Sequence, residues 1–372
     1  MLESNKRLVS LDAFRGLTIA AMILVNSPGN YGAVYAPLRH AVWNGWTFAD
    51  TIFPSFLFIV GVSLVFSLTG QQEKGMTDRR IEAQVVRRTL ILFGLGLFVN
   101  TFPIFHFSTI RIPGVLQRIA LCYFFAAAII LRYGLKGRIA WLIILLAAYW
   151  LMMRFIPVPE IGAGVLEPGR NFAAWVDSLF LTGHMWSYYG TWDPEGLVST
   201  LPAIGTTLFG VLTGDLLKSS LSRPRKTLYM LLAGFALLLT GELLDRWLPI
   251  NKSIWTSTFA IFMAGLTLVV FASIYWLTDV EGVVLWARPF VIFGVNPITI
   301  YVLSEVLDTA LRFINFSLPN GYALSCRSFL FRNYCAPNAS PENASLYYAL
   351  AYLASMFLIA WVLWRKRIYI RI

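Results

Sequence analysis

An all-α, polytopic membrane helical bundle with about ten transmembrane helices and cytoplasmic N and C termini is the fold class this sequence predicts, on three observations. The first is composition: 58% of the 372 residues are hydrophobic, 15% aromatic and 13% charged, with a mean hydropathy of +0.66. One soluble core cannot bury that much apolar surface. The second is the length of the apolar runs, which match the roughly 20 residues a helix needs to cross a hydrocarbon layer and show no ten-residue β-barrel alternation. The third is charge placement, because basic residues collect in alternate linkers as cytoplasmic loops do.

Taken in order, the spans fall near 9–27, 49–70, 88–105, 114–133, 138–156, 200–217, 227–248, 254–277, 289–313 and 346–364. The first, LDAFRGLTIAAMILVNSPGN, carries Asp12 and Arg15 and lacks a small-residue cleavage site, so it reads as a retained span rather than a secretory signal. The second follows RHAVWNGWTFADTIFPSFLFIVG, in which a histidine, an Asn-Gly turn and an aspartate precede a strongly apolar run. The third opens at Arg87 and Arg88, and the fourth starts from the outer side with Gln117 and Arg118. Glu305, Asp308 and Arg312 punctuate the ninth, and the tenth ends at Arg365.

With the N-terminus inside, the inner segments hold Lys6 and Arg7, then Lys74, Arg79, Arg80, Arg87 and Arg88, then Arg132, Lys136 and Arg138. Lys218, Arg223, Arg225 and Lys226 follow, then Arg288, then Arg365, Lys366, Arg367 and Arg371. These are 19 of the 30 basic residues. The net charge of +11 is therefore topology and not a nucleic-acid footprint. No low-complexity linker or internal repeat divides the chain, which reads as a single transmembrane domain over 1–372. Two outer loops, about 157–199 and 314–345, have the length of functional or partner-facing segments.

Cysteine usage points to no metal chemistry. Cys122 sits in a span as a small core residue, whereas Cys326 and Cys335 share the last outer loop, where an oxidising compartment would let them pair. The three cysteines and three histidines have no metal-ligand spacing, so no metal site is expected. Asn338 and Asn343 each begin an Asn-Ala-Ser triplet, a glycosylation pattern that chance often produces.

Ionisable residues inside spans are costly and point to function or to internal pairing. Asp12 and Arg15, three apart, share one helix face; they form either a helix-locking ion pair or a charged lip for an anionic cofactor. His40 follows NSPGNYGAVYAPLR, whose Pro and Gly residues forbid a continuous helix. That loop either dips into the bundle or holds His40 at headgroup level beside the belt aromatics Trp43 and Trp46. His106 and His184 have less local support for chemistry.

The runs RLVSLDAFRGLTIAAMILVN, RHAVWNGWTFADTIFPSFLFIVGVS, RIPGVLQR, TWDPEGLVSTLPAIGTTLFGVLTG and FGVNPITIYVLSE resemble, in order and over nearly the whole chain, the heparan-α-glucosaminide N-acetyltransferase family. The lysosomal members of that family add a lumenal N-terminal domain and a further helix. Their lack in this sequence leads us to expect a multi-pass protein of the bacterial inner membrane. The resemblance implies an α-helical bundle, commonly dimeric, that takes acetyl-CoA from the cytoplasmic side and acetylates an amino sugar on the other.

It carries the catalytic histidine onto His40 and an asparagine at the end of the preceding helix onto Asn26. An imidazole with an ordinary pKa near 6.5 suits a general base or an acetyl carrier, and an amide suits an oxyanion donor. Arg15, Arg87 and Arg88, with Gln117 and Arg118, are the cofactor-binding candidates. Trp43, Asn44, Asp50 and Asn296 are the substrate-binding ones, and Asp12 and Glu305 are orienting residues. The competing class is an amino-sugar transporter without chemistry, which would also bind its substrate among broken helices. A binding or scaffold subunit is the third.

Overall fold

The computed structural model describes residues 8–317, 323–337 and 339–370. Lys6, Arg7, Asn338 and Arg371, named above, lie outside the described residues. Each expected span contains a helix: α1 (Val9–Asn26), α2 (Phe48–Glu73), α3 (Asp78–Thr101), α4 (Val115–Arg132) and α5 (Leu135–Phe155) come first. A short α6 (Phe172–Phe180) lies in the long loop, before α7 (Thr200–Lys218), α8 (Arg223–Leu244) and α9 (Ser257–Tyr275), which continues as one wide turn through Val280. α10 (Arg288–Val295), α11 (Pro297–Phe313), α12 (Cys326–Leu330) and α13 (Pro341–Arg365) complete the chain. β1 (Asn315–Ser317) and β2 (Ala323–Ser325) form a small antiparallel pair in the last long loop, an addition to the helical bundle.

Among the described residues, eight helices are long and apolar enough to cross a membrane, or nine if the bent pair α10 and α11 is one span. The ten windows read from sequence exceed this: α3, which carries Arg87 and Arg88 in its apolar stretch, is not among the eight, and the ninth window is bent by 81° where Asn296 separates α10 from α11. Pro297 cannot continue the hydrogen-bond ladder of α10, so a break there is expected.

The seams between helices are made by glycine. A Cβ on Gly61 would stand 2.0 Å from the Thr207 carbonyl oxygen, and one on Gly210 1.9 Å from that of Phe58, so α2 and α7 touch backbone to backbone. The same holds for α1 against α10, where a Cβ on Gly16 would stand 1.7 Å from the Phe290 carbonyl oxygen and one on Gly294 2.0 Å from that of Asp12. Small residues allow this approach, and it maximises dispersion contact where lipid offers no hydrophobic driving force. Around these seams α2 is deeply held, with Leu57, Phe58, Ile59 and Val62 fully buried.

The loops 27–47, 102–114, 156–199 and 245–256 meet at one end with His40, and the described part of 314–340 joins them through Arg327, which donates to the Pro28 carbonyl. The short basic linkers share the other. There Arg138 pairs with Asp215 at 2.6 Å, Lys218 with Glu73 at 3.0 Å and Arg132 with Glu82 at 3.0 Å.

The described cysteines are free thiols. Cys326 and Cys335 lie at opposite ends of one continuous helical segment, α12 and the wide turn after it. Nine residues of helical rise put them on the order of 13 Å apart, well beyond disulfide reach, so the pairing expected from their shared loop does not form here.

Candidate active site

Asp50 organises the site. Thr47 caps α2 and forms a reciprocal capping box with Asp50 in its first turn, which follows from the Thr-x-x-Asp spacing in front of an apolar run. The carboxylate is fully buried and accepts from the backbone N–H of Ala41 and of Thr47, both at 3.0 Å. Its other oxygen lies 2.7 Å from His40 Nδ1. An ionised carboxylate can only accept, so Nδ1 is assigned the proton and the lone pair of Nε2 is left available. His40 lies on the end of the bundle and does not dip into it: its side chain is 48% exposed while Asp50 beneath it is closed to solvent.

A cavity of about 230 Å³ opens beside the ring. Its inner wall is apolar, with Met22, Ile52, Phe53 and Val115, whereas its mouth carries Trp186, Tyr189, Glu195 and Lys252. Asn26, the last residue of α1, lines the same cavity. Its amide donates to Glu305 at 3.3 Å, and its carbonyl accepts from the Tyr31 hydroxyl at 2.8 Å.

Lys252 stands over the histidine. Its Nζ is 3.1 Å from Nδ1, 3.3 Å from Nε2 and 3.6 Å from Asp50 Oδ1. Burial pushes the ammonium pKa down, and the charges of Asp50 and Glu195 push back against it. Asn44 helps to place it: Asn251 donates to Asn44 Oδ1 at 3.1 Å, and the Gly45 N–H donates to Ile250 at 2.8 Å.

The far wall is a clamped loop, 191–199. Arg111 grips Asp193 with two hydrogen bonds, 2.8 and 2.6 Å, and Glu195 with a third at 2.6 Å. Burial lowers the Arg111 pKa, but the two carboxylates outweigh it and hold the guanidinium above its ordinary range. Burial likewise raises the Asp193 carboxyl, and Arg111 reverses this to a net depression. Asp177 of α6 accepts from the N–H of Leu197 at 2.9 Å and of Asp193 at 3.3 Å. Burial pushes its carboxyl up to about 6. Tyr189 stacks on Trp192 at 4.1 Å, and Trp192 meets the edge of Trp43 at 5.3 Å. Together these groups can accept one proton at Nε2, present positive charge beside it, and offer aromatic and carboxylate surfaces to a polar molecule entering from the mouth.

Residues 7–226, more than half of the chain, match the family described as heparan-alpha-glucosaminide N-acetyltransferase, catalytic. The chain belongs to this family. It is 29% identical over 362 residues to the heparan-alpha-glucosaminide N-acetyltransferase of Homo sapiens, an alignment covering 82% of this chain and 54% of that protein. The Mus musculus protein of the same name gives 29% over 366 residues, covering 84% and 55%. The chain thus spans about half the length of these relatives.

Within this heparan-alpha-glucosaminide N-acetyltransferase relative, the residues singled out from sequence separate into three groups. His40 and Asn26 come together at the cavity, and Glu305 joins them through Asn26; Asp50, expected at the substrate, does not line the cavity but sits closed to solvent beneath His40. Trp43 and Asn44 form the layer behind: the Trp43 indole donates to Leu166 at 3.0 Å, and Asn44 holds the Lys252 turn. The others lie elsewhere. Asn296, expected at the substrate, instead ties down the C-terminal segment, donating to Ile368 at 2.9 Å and accepting from the Ile370 N–H at 2.9 Å.

Arg118, expected at the cofactor, is 1% exposed and spent on the clamped loop, donating to Pro194, Gly196 and Ser199. Gln117 is packed against Gly96 and Gly114. Arg15 pairs with Asp12 at 3.3 Å and donates to Ser63 at 2.7 Å, locking α1 to α2 toward the basic end. Arg88 lies at mid-helix over the Tyr123 ring, 4.8 Å away, and Arg87 is exposed. Sequence reading missed Arg111, Glu195 and Lys252. A signal existed, since 11 of the 30 basic residues lie outside the inner segments, in spans or outer loops, and Lys252 is the single lysine among them.

Proposed function

We propose that this chain is a transmembrane N-acetyltransferase that moves an acetyl group from cytoplasmic acetyl-CoA to the amine of a glucosamine-type sugar on the periplasmic side of a bacterial inner membrane. The carrying observation is the His40–Asp50 pair, with Nε2 left available in a cavity that Asn26 also lines. An amine attacks a thioester only when unprotonated, and His40 accepts that proton at Nε2 while Asp50 stabilises the imidazolium through Nδ1–H. Asn26 supplies a neutral donor to the carbonyl oxygen as it becomes anionic. Glu195 and the aromatic rings at the mouth suit an amino sugar, the first by charge and the second by stacking on its apolar face. A covalent route, in which Nε2 takes the acetyl group first, uses the same residues; we favour the base.

Acetyl-CoA reaches this point from the basic end. Ser63, which holds Arg15, lies 13 residues along α2 from Asp50, a rise of about 20 Å. A pantetheine arm spans roughly half of a ~30 Å bilayer core and the phosphates extend beyond it, so Arg15 is the best-placed of the proposed phosphate cations. Arg87 and Arg88 remain secondary ones. The protein works in lipid, as a homodimer in keeping with the resemblance, with both termini on the cytoplasmic side by the basic-residue bias.

The test is incubation of purified protein in vesicles with labelled acetyl-CoA and glucosamine. Labelled N-acetylglucosamine is the expected product. Uptake of unmodified sugar without product would replace this reading with a transporter.

A further inference from the structure

The turn between α8 and α9 is built with unusual care for a surface connection. Asn251 and Thr256 are buried at 1% and 0% exposure, Thr256 Oγ1 donates to Pro249 at 2.8 Å, and Asn251 Oδ1 accepts from the Ile254 N–H at 3.1 Å. Trp255, a bulky residue, sits at φ +48°, in the left-handed region that such residues rarely enter. Strain of that kind persists only where the surroundings over-determine it, and it clusters at functional sites. What this turn presents to the cavity is Lys252.

The placement of Nζ is informative in itself. It is almost equidistant from the two ring nitrogens of His40, 3.1 and 3.3 Å, whose lone-pair directions diverge. It therefore lies off both axes, beside the ring, and leaves the Nε2 lone pair open. The charged groups facing it are Asp50 from α2, His40 from the loop before α2, and Glu195 from the clamped loop, itself gripped by Arg111.

We propose that Lys252 is a catalytic residue, the fixed cation of the site. Its ammonium stabilises the oxyanion that forms when the acetyl carbonyl is attacked beside Nε2, and its like charge opposes imidazolium formation on the adjacent ring. This rests on the acetyl-transfer reading above. The step balances without further reactants: the C–N bond forms and the substrate N–H proton passes to Nε2, then the oxyanion collapses with cleavage of the C–S bond and the departing thiolate takes that proton back from Nε2, which leaves His40 neutral again. Lys252 remains an ammonium throughout. Asp50 and Glu195 offset the burial that would otherwise neutralise it.

The sign of the pH effect follows from like charge. Removing a cation this close makes imidazolium easier to form, so the acid limb of activity moves to higher pH. Lys252→Met should lower kcat on the order of 100-fold, as loss of one oxyanion donor does, with KM values changing only a few-fold. Lys252→Arg should recover much of the rate by restoring the charge.

A second readout does not need turnover: carbethoxylation of the His40 peptide by diethyl pyrocarbonate, followed against pH by mass spectrometry. Its midpoint should rise in Lys252→Met and stay near wild type in Lys252→Arg. Lys252→Gln replaces Lys252→Met if the latter does not fold. An unchanged carbethoxylation midpoint in a folded, charge-free variant overturns the proposal, as does wild-type kcat. If the wild-type protein makes no N-acetylglucosamine while the midpoint still moves, the transfer reading fails and the electrostatic coupling of Lys252 to His40 stands.

Discussion

Two buried carboxylates at the same end of the bundle, Asp50 and Asp193, solve the same structural problem with opposite chemical results. Both are closed to solvent, both accept backbone N–H groups, and both hold a loop against the helices. Asp193 is matched to an arginine, a group that never loses its proton in a protein and whose planar fork fits the carboxylate twice over. That pairing is a clamp. Asp50 is matched to an imidazole, which can gain and lose a proton in the physiological range, with the Lys252 ammonium beside the pair. A carboxylate becomes part of a reactive site through its partner's remaining freedom and not through its own burial.

The largest effects should come from the Asp50 side. His40→Ala is expected to lower acetyl transfer by on the order of 10³-fold or more while leaving acetyl-CoA binding and thermal unfolding close to wild type. His184→Ala, whose ring only reaches the Ile110 carbonyl, should change the rate little. Turnover and isothermal binding on the same purified variants check both, and substantial activity in folded His40→Ala removes the assignment.

Asp50→Asn comes next. An amide at this position can donate to Nδ1 and draw the proton to Nε2, the tautomer that cannot act as a base, so kcat should fall on the order of 10²–10⁴-fold in a folded protein. A loss of kcat matched by a loss of stability would make Asp50 only a helix cap.

On the clamp side the effect should fall on structure first. Arg111→Ala leaves the Asp193 carboxylate buried without its cation, a change that costs about 3–5 kcal/mol in comparable sites. Limited proteolysis of 186–199 should accelerate, and KM for the sugar should rise more than kcat falls. A kcat loss as deep as that of Asp50→Asn would erase the distinction between clamp and reactive pair.

The smallest effect sharpens the comparison within the clamp. The Asp177 carboxyl titrates near 6 when folded and near 3.8 when exposed, so between those values the folded loop binds the extra proton. Stability is therefore greater below about 4 and declines as pH rises to about 6. Hydrogen exchange at the Leu197 N–H, corrected for its intrinsic rate, should be slower at pH 5 than at pH 8. In Asp177→Asn that dependence should flatten.

How much of this was legible in sequence depended on whether partners were close along the chain. The helices were, because each is a mostly apolar run of spanning length; the block that holds His40 and Asp50 was too, although sequence places Asp50 at the substrate and the fold puts it beneath the imidazole. Arg118 and Asn296 looked functional because a charge or amide in an apolar span is costly, but sequence shows the cost and not who meets it. For Arg118 the partners are 76 to 81 residues away, and for Asn296 they are 72 and 74. Lys252 and His40 are 212 residues apart, and only the fold brings them together. The break at Asn296 was readable from the proline after it, yet its 81° angle was not, since packing against α1 and α13 sets it.

The glycine seams carry a mechanical consequence. Where Gly61 and Gly210 bring the backbones of α2 and α7 into direct touch, no compressible layer of side chains separates the two helices. Sliding one along the other would drive the next side chain into a carbonyl, so the helix that carries Asp50 cannot rock against its neighbour as a transporter gate does. α1 is welded to α10 in the same manner, at Gly16 and Gly294. A molecule stiffened at both seams favours passing a two-carbon fragment from one molecule to another at a fixed point over carrying a whole sugar through.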